Sequence, residues 1–181
     1  MDPIEEVEKE LNEATRRAWT LVQSTDGRLF TVRPGVMSWS AAECLAHLSI
    51  STELFLPVLK TTIEGARKKK PRGKPKMDVI GRVLAWFLEP PIRKKVKTTA
   101  PFVPRSTRAK AEAFGEFASL QEKLIDLLRE ARDVDLRTRI VSPFDRRVRY
   151  NLYSAFRIVA AHERRHLWQA EQAVAELRAR R

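Results

Sequence analysis

His162-Glu163-Arg164-Arg165-His166 places two of the three histidines in this chain four residues apart. On a helix, positions i and i+4 differ by about 40° around the axis and lie about 6 Å apart along it. Both imidazoles then share one face and can hold one metal ion. Helical periodicity dominates the chain, and the last helix it predicts opens near Asn151 and continues to about Leu177. The third histidine, His47, falls in the middle of a predicted second helix, beside Leu45 and Leu48. Helices packed in a bundle can bring these two segments together. Three neutral imidazoles would leave a metal with open positions, as in a catalytic site.

The rest of the chain supports a bundle. Ile4, Val7, Leu11, Ala14, Ala18 and Leu21 step by threes and fours and form one apolar stripe ending near Ser24. Asp2 reads as the N-cap of this first helix, with Pro3 at its first position. Residues 25–39 carry Gly27, Pro34 and Gly35 and read as a loop, with a short extended piece at 29–32. Ser40-Ala41-Ala42-Glu43 has the form of a capping box and opens the second helix, which runs to about Gly65. A short third helix spans roughly 77–88 and stops at Pro90-Pro91. Residues 92–104 read as extended and basic. A fourth helix runs from about 107 to 131, with Phe114, Phe117, Leu120, Leu124, Leu127 and Leu128 inward. The expected architecture is all-α: one domain over 1–181, a four-helix bundle. It carries an insertion at 66–105, made of a basic loop, the extra short helix and an extended piece.

Composition narrows the function classes. At 181 residues, with 43% hydrophobic and 32% charged, the chain can bury a core and reads as globular. No apolar run approaches the roughly 20 residues of a membrane span. The acidic opening, Met1-Asp2-Pro3-Ile4-Glu5-Glu6, reads as neither signal nor transit peptide. Cys44 is the single cysteine, which excludes an intrachain disulfide and a Cys-rich zinc site, and the expected compartment is the cytoplasm. The net charge of +12 is concentrated: Arg67 to Lys97 holds 12 basic and 2 acidic residues. Arg67, Lys68, Lys69, Lys70, Arg72, Lys74 and Lys76 form a basic loop that attracts anions: a small anionic substrate, nucleic acid or an acidic membrane. Against nucleic acid, the loop lacks interleaved aromatics, and no helix-turn-helix pattern is evident.

His-Glu-x-x-His also matches the zincin protease motif literally. One extension of that motif requires Gly at 169 and His at 172, where this chain has Gln169 and Gln172. The other large class needs a glutamate some twenty residues on, beyond the 15 that remain after His166. A metalloprotease is therefore disfavoured. Glu163 stands beside a ligand position and is the candidate general base, although residue i+1 is rotated about 100° away from His162. Gln169, near His166 on the same helix, is a candidate to orient a ligand or water. Glu43 reads as a cap, and Cys44 as a small buried residue.

Two segments carry a family resemblance. Trp39-Ser40-Ala41-Ala42-Glu43-Cys44-Leu45-Ala46-His47-Leu48 resembles the Trp-Ser-x-x-Glu-x-x-x-His-Leu pattern of the DinB-like (DinB/YfiT) metal-binding four-helix bundles. Ala161-His162-Glu163-Arg164-Arg165-His166-Leu167-Trp168-Gln169 resembles that family's closing His-x-x-x-His-x-x-Gln pattern. The resemblance implies a divalent metal, zinc or nickel, held by His47, His162 and His166. It also implies a homodimer, and a reaction of the kind run by relatives that transfer low-molecular-weight thiols. Two function classes follow. One is a metal-dependent transferase acting on a thiol or small electrophile. The other is a binding module with a structural metal, whose basic loop meets a polyanion, a membrane surface or a partner protein.

Overall fold

The computed structural model describes residues 2–68, 70–71, 73–91, 98–104 and 108–180. Six α-helices occur among them: α1 (Pro3–Ser24), α2 (Gly27–Thr31), α3 (Ala41–Ala66), α4 (Val79–Leu88), α5 (Lys110–Glu130) and α6 (Leu152–Ala179). A two-stranded antiparallel hairpin, β1 (Arg139–Val141) and β2 (Arg149–Asn151), precedes α6. The fold is all-α. Helices α1 and α3 each pack on both α5 and α6, so α1 lies diagonally across the bundle from α3. Helix α4 lies along the outside of α6.

Local sequence sets the helix starts. Asp2 accepts from the Ile4 amide, and Asn151 accepts from the Ser154 amide. The Ser40–Glu43 box is complete: the serine hydroxyl accepts from the Glu43 amide, and the Glu43 carboxylate accepts from the Ser40 amide. All six apolar positions of the first stripe are buried.

Several expectations are corrected. Residues 29–31 are helical rather than extended: Asp26 caps the five-residue α2, Leu29 and Phe30 turn into the core, and only Val32 is extended. The hairpin adds the strands that helical periodicity could not announce. A 3₁₀ turn at Ala100–Phe102 replaces extended chain there, while residues 92–97 lie outside the described residues. Phe114 and Leu127 are half-buried, where Phe117, Leu120, Leu124 and Leu128 are buried. Among the described helices, α3 is the one long and apolar enough by length and composition to cross a membrane, although Glu43, His47, Ser49, Ser51, Thr52 and Glu53 interrupt its apolar residues. Its apolar window is 61% buried inside the bundle, because α3 packs on both α5 and α6.

The core has two apolar parts. One gathers Val7, Leu11, Phe55, Leu59, Leu124, Leu128 and Phe156, and the other gathers Ala18, Phe30, Leu45, Leu48, Phe117, Leu167 and Val174. Along α3 the change falls between Leu48 and Phe55, along α5 between Phe117 and Leu124, and along α6 between Ala160 and Leu167. The buried polar groups His47, Ser51, Thr52, Gln121, His162, Glu163 and His166 stand at this level or beside it.

Two predictions follow from the packing. Gly81 lets α4 approach α6 closely, since a Cβ there would overlap the Ser154 side chain. Gly81→Ala should therefore cost about 1–3 kcal/mol by overpacking, read as a lower urea midpoint. The second concerns Glu43. Burial pushes its carboxyl up, but bonds from Arg33 and Ser40 outweigh burial and hold it below the usual range. Stability from this group is present above the unfolded carboxyl's range and lost as pH falls through the folded one. Arg33→Ala should lower the melting temperature at pH 7 by a few degrees, and the deficit should close as the protein is acidified.

Candidate metal centre

His47 extends from α3, and His162 and His166 extend from successive turns of α6. Their relative exposures are 3%, 6% and 8%. One ligand nitrogen from each lies within 4.8 Å of the others. The ring centroids stand 4.3 to 5.0 Å apart. His47 Nε2 and His162 Nε2 are 3.1 Å apart. Two nitrogens on one tetrahedral zinc, each at about 2.05 Å, would stand about 3.3 Å apart, so the pair is already near the spacing a metal requires.

The tautomer of His47 follows from its partner. Its Nδ1 lies 2.7 Å from the carbonyl oxygen of Phe102, which can only accept, so Nδ1 carries the proton. The Nε2 lone pair then points toward His162. A backbone carbonyl holding the far nitrogen of a ligand ring fixes its orientation and raises its basicity. His166 contributes a buried Nδ1 with no hydrogen-bond partner. Buried polar atoms are seldom left unpaired, so this one fits a site built for an ion.

Burial also sets the charge state. It pushes His47 down to about 4, against a smaller opposite effect of the Phe102 carbonyl. His162 and His166 are driven well below the ordinary histidine value, first by burial, then by neighbouring histidines and Arg165; the Gln169 side chain opposes this at His166. All three are therefore neutral near pH 7, and no proton competes for their lone pairs.

Aromatic rings roof the cluster. Trp39 stands 4.9 Å from His47 and 5.8 Å from His166. Phe144, from the β1–β2 turn, stands 5.4 Å from His162 and 4.8 Å from Phe102. No sequence pattern marks Phe102 or Phe144: one acts through a main-chain carbonyl, and both approach from connecting segments. Trp39 was legible as the first residue of the Trp-Ser-x-x-Glu pattern, not as a neighbour of the histidines.

The other candidates are placed as follows. Glu163 is 1% exposed, and its Oε2 accepts from Gln121 Nε2 at 2.9 Å. Gln121 also donates to the Leu11 carbonyl, so Glu163 meets the α1–α5 side of the bundle. Burial pushes its carboxyl up to about 8. Gln169 is half-buried and meets the His166 ring. Cys44 is fully buried in apolar surroundings, which push its thiol up, and it stands outside the ligand cluster. Arg67, Lys68, Lys70, Lys74 and Lys76 are exposed, with Arg67 paired to Glu130. Lys69 and Arg72 lie outside the described residues.

The family model of the DinB superfamily matches residues 10–170. No curated protein matches the chain. No solved structure matches it either. The matched span runs from the first helix to the last and contains all three clustered histidines, so the chain belongs to the DinB superfamily.

Proposed function

We propose that this protein holds one divalent metal ion, zinc or nickel, on His47, His162 and His166 and acts as a transferase on a small thiol or electrophile. The observation that carries the reading is the convergence of three buried, neutral imidazoles, one with its tautomer fixed by the Phe102 carbonyl. Three ligands from rigid helices leave coordination positions open, the mark of a catalytic rather than a structural site. A bound divalent ion would supply Lewis acidity, lowering the pKa of a thiol or water near it.

The protein's own residues do the rest. Burial keeps protons off the three rings. Trp39, Phe102 and Phe144 keep bulk water out, which strengthens electrostatic interactions within. Gln169, on the turn after His166, is the residue assigned to orient that ring or a bound water. Through its Oε2 and Gln121, Glu163 helps hold α1, α5 and α6 together, and its Oε1 is buried without a hydrogen-bond partner. We place the protein in the cytoplasm from its cysteine usage, and as a homodimer by the family reading.

One observation favours a second reading. All three histidines lie beneath aromatic rings, and enclosure marks a structural site. In that case the metal would tie α3 to α6 and the function would lie in a binding surface.

The expected metal content of tag-free protein soaked in zinc or nickel salts is about one equivalent, by elemental analysis. His47→Ala or His162→Ala should weaken binding at least about 100-fold, as loss of one of three ligands implies. Cobalt substitution separates the two readings. Addition of a small thiol should shift the cobalt absorption of a catalytic site. A spectrum indifferent to thiols and anions would leave the structural reading.

A further inference from the structure

Helix α4 reads Val79-Ile80-Gly81-Arg82-Val83-Leu84-Ala85-Trp86-Phe87-Leu88, with one charged residue in ten. A helix that is apolar all round ordinarily belongs in an interior. This one is only half covered. Gly81 faces α6, against Ser154, and Leu84, Ala85 and Leu88 pack on the core. Trp86, Val79, Val83 and Ile80 occupy the opposite arc, about 120° wide at 100° per residue. They are 60%, 65%, 58% and 42% exposed. Exposed apolar residues scattered singly need no explanation, but a contiguous face marks a contact surface.

The charges around this face identify what it contacts. The two acids between Arg67 and Lys97 are both turned to α6. Asp78 caps α4, accepting from the Gly81 amide, and also accepts from the Asn151 amide. Glu89 pairs with Arg164. The bases face outward. Lys70, Lys74, Lys76 and Arg82 are exposed, and none has an ion pair among the described residues. A second copy of this surface would bring base against base. Nucleic acid would satisfy the bases but offer nothing to Val79 and Val83. An occupant that is anionic at its surface and apolar beneath satisfies both.

We propose that α4, with the basic residues bordering it, docks on an anionic lipid bilayer. The apolar arc enters the headgroup boundary, Trp86 lies in the interface, and Lys74, Lys76 and Arg82 meet lipid phosphates. One tryptophan-bearing helix standing out from the bundle suits a fluid surface, which needs no matching groove. This inference is independent of the metal reading.

The test is flotation of the full chain with phosphatidylcholine vesicles, with and without phosphatidylglycerol. Binding should require phosphatidylglycerol, weaken at high salt, and blue-shift tryptophan emission in wild type but not in Trp86→Phe. Val83→Glu should reduce binding at least about tenfold, with the circular dichroism and melting temperature of the wild type, since residue 83 is exposed. Lys74→Glu combined with Lys76→Glu should do the same. Any one of three results would overturn the proposal: no flotation with phosphatidylglycerol vesicles; flotation undiminished by Val83→Glu, meaning charge alone; or a lipid-free dimer that Val83→Glu dissociates, meaning the face is covered by a second copy. Binding of single-stranded oligonucleotide that competes away the vesicles and ignores Val83→Glu would assign the bases to nucleic acid and overturn it likewise.

Discussion

Polar side chains buried in the middle of an apolar bundle must find partners within the protein, and this requirement shapes the rest of the structure. The cost of an unpaired buried polar group is about 1–3 kcal/mol, a large part of any domain's net stability. Helices α3, α5 and α6 all place such groups between the two apolar parts of the core. Gln121 answers on one side, bridging the Leu11 carbonyl and Glu163. Phe102 answers on the other through its carbonyl to His47. Ser51 closes onto the main chain of α3 at the His47 carbonyl. Among the described residues, His166 Nδ1, Ser49 Oγ, Gln121 Oε1 and Glu163 Oε1 are buried at this level without a hydrogen-bond partner.

The layer also explains the arrangement of the outer shell. Helix α6 carries the buried Ser154, His162, Glu163, Arg165 and His166, and ion pairs hold it from several sides. Arg17 binds Glu171 and Arg157 binds Glu6 and Glu10, fastening α1 to α6. Arg164, two residues from either histidine, binds Glu10 and Glu89 and so fastens both α1 and the end of α4. Arg165 carries its charge over the Phe87 ring and donates to the Phe87 carbonyl. The Glu and Arg residues of the His-Glu-Arg-Arg-His string thus face three directions, and the helical turn sorts them: the acid inward to α5, one arginine to α1, the other to α4.

Much of this was legible in residue order. The first stripe, the capping box at Ser40–Glu43 and the helix start at Asn151 are local signals, each decided within a few residues. The approach of His47 to His162 and His166 needed only that two long helices be neighbours. What could not be read has a common physical form. Short α2 rests on an aspartate cap and on Phe30 finding the core, against a local preference for extended chain at 29–32. The hairpin at 139–151 has three-residue strands, too short for a period-two pattern to stand out. Phe102 acts through an atom every residue possesses, so no side-chain pattern marks it. The direction taken by Glu163 depended on which helix carried Gln121 at the same level, a fact about packing and not about spacing.

Burial has opposite consequences for the two kinds of basic group in this protein. Around the histidines it removes charge: each ring is neutral because solvation of its cation has been taken away, and the same removal leaves lone pairs facing one another with nothing but ring edges around them. Around α4 the acids are drawn inward and the lysines left in water, so charge is concentrated outside while apolar surface is left uncovered beside it. The first arrangement favours a small cation and the second favours an anionic surface. They are joined through one helix, since α6 carries two of the three histidines and also anchors both acids that flank α4.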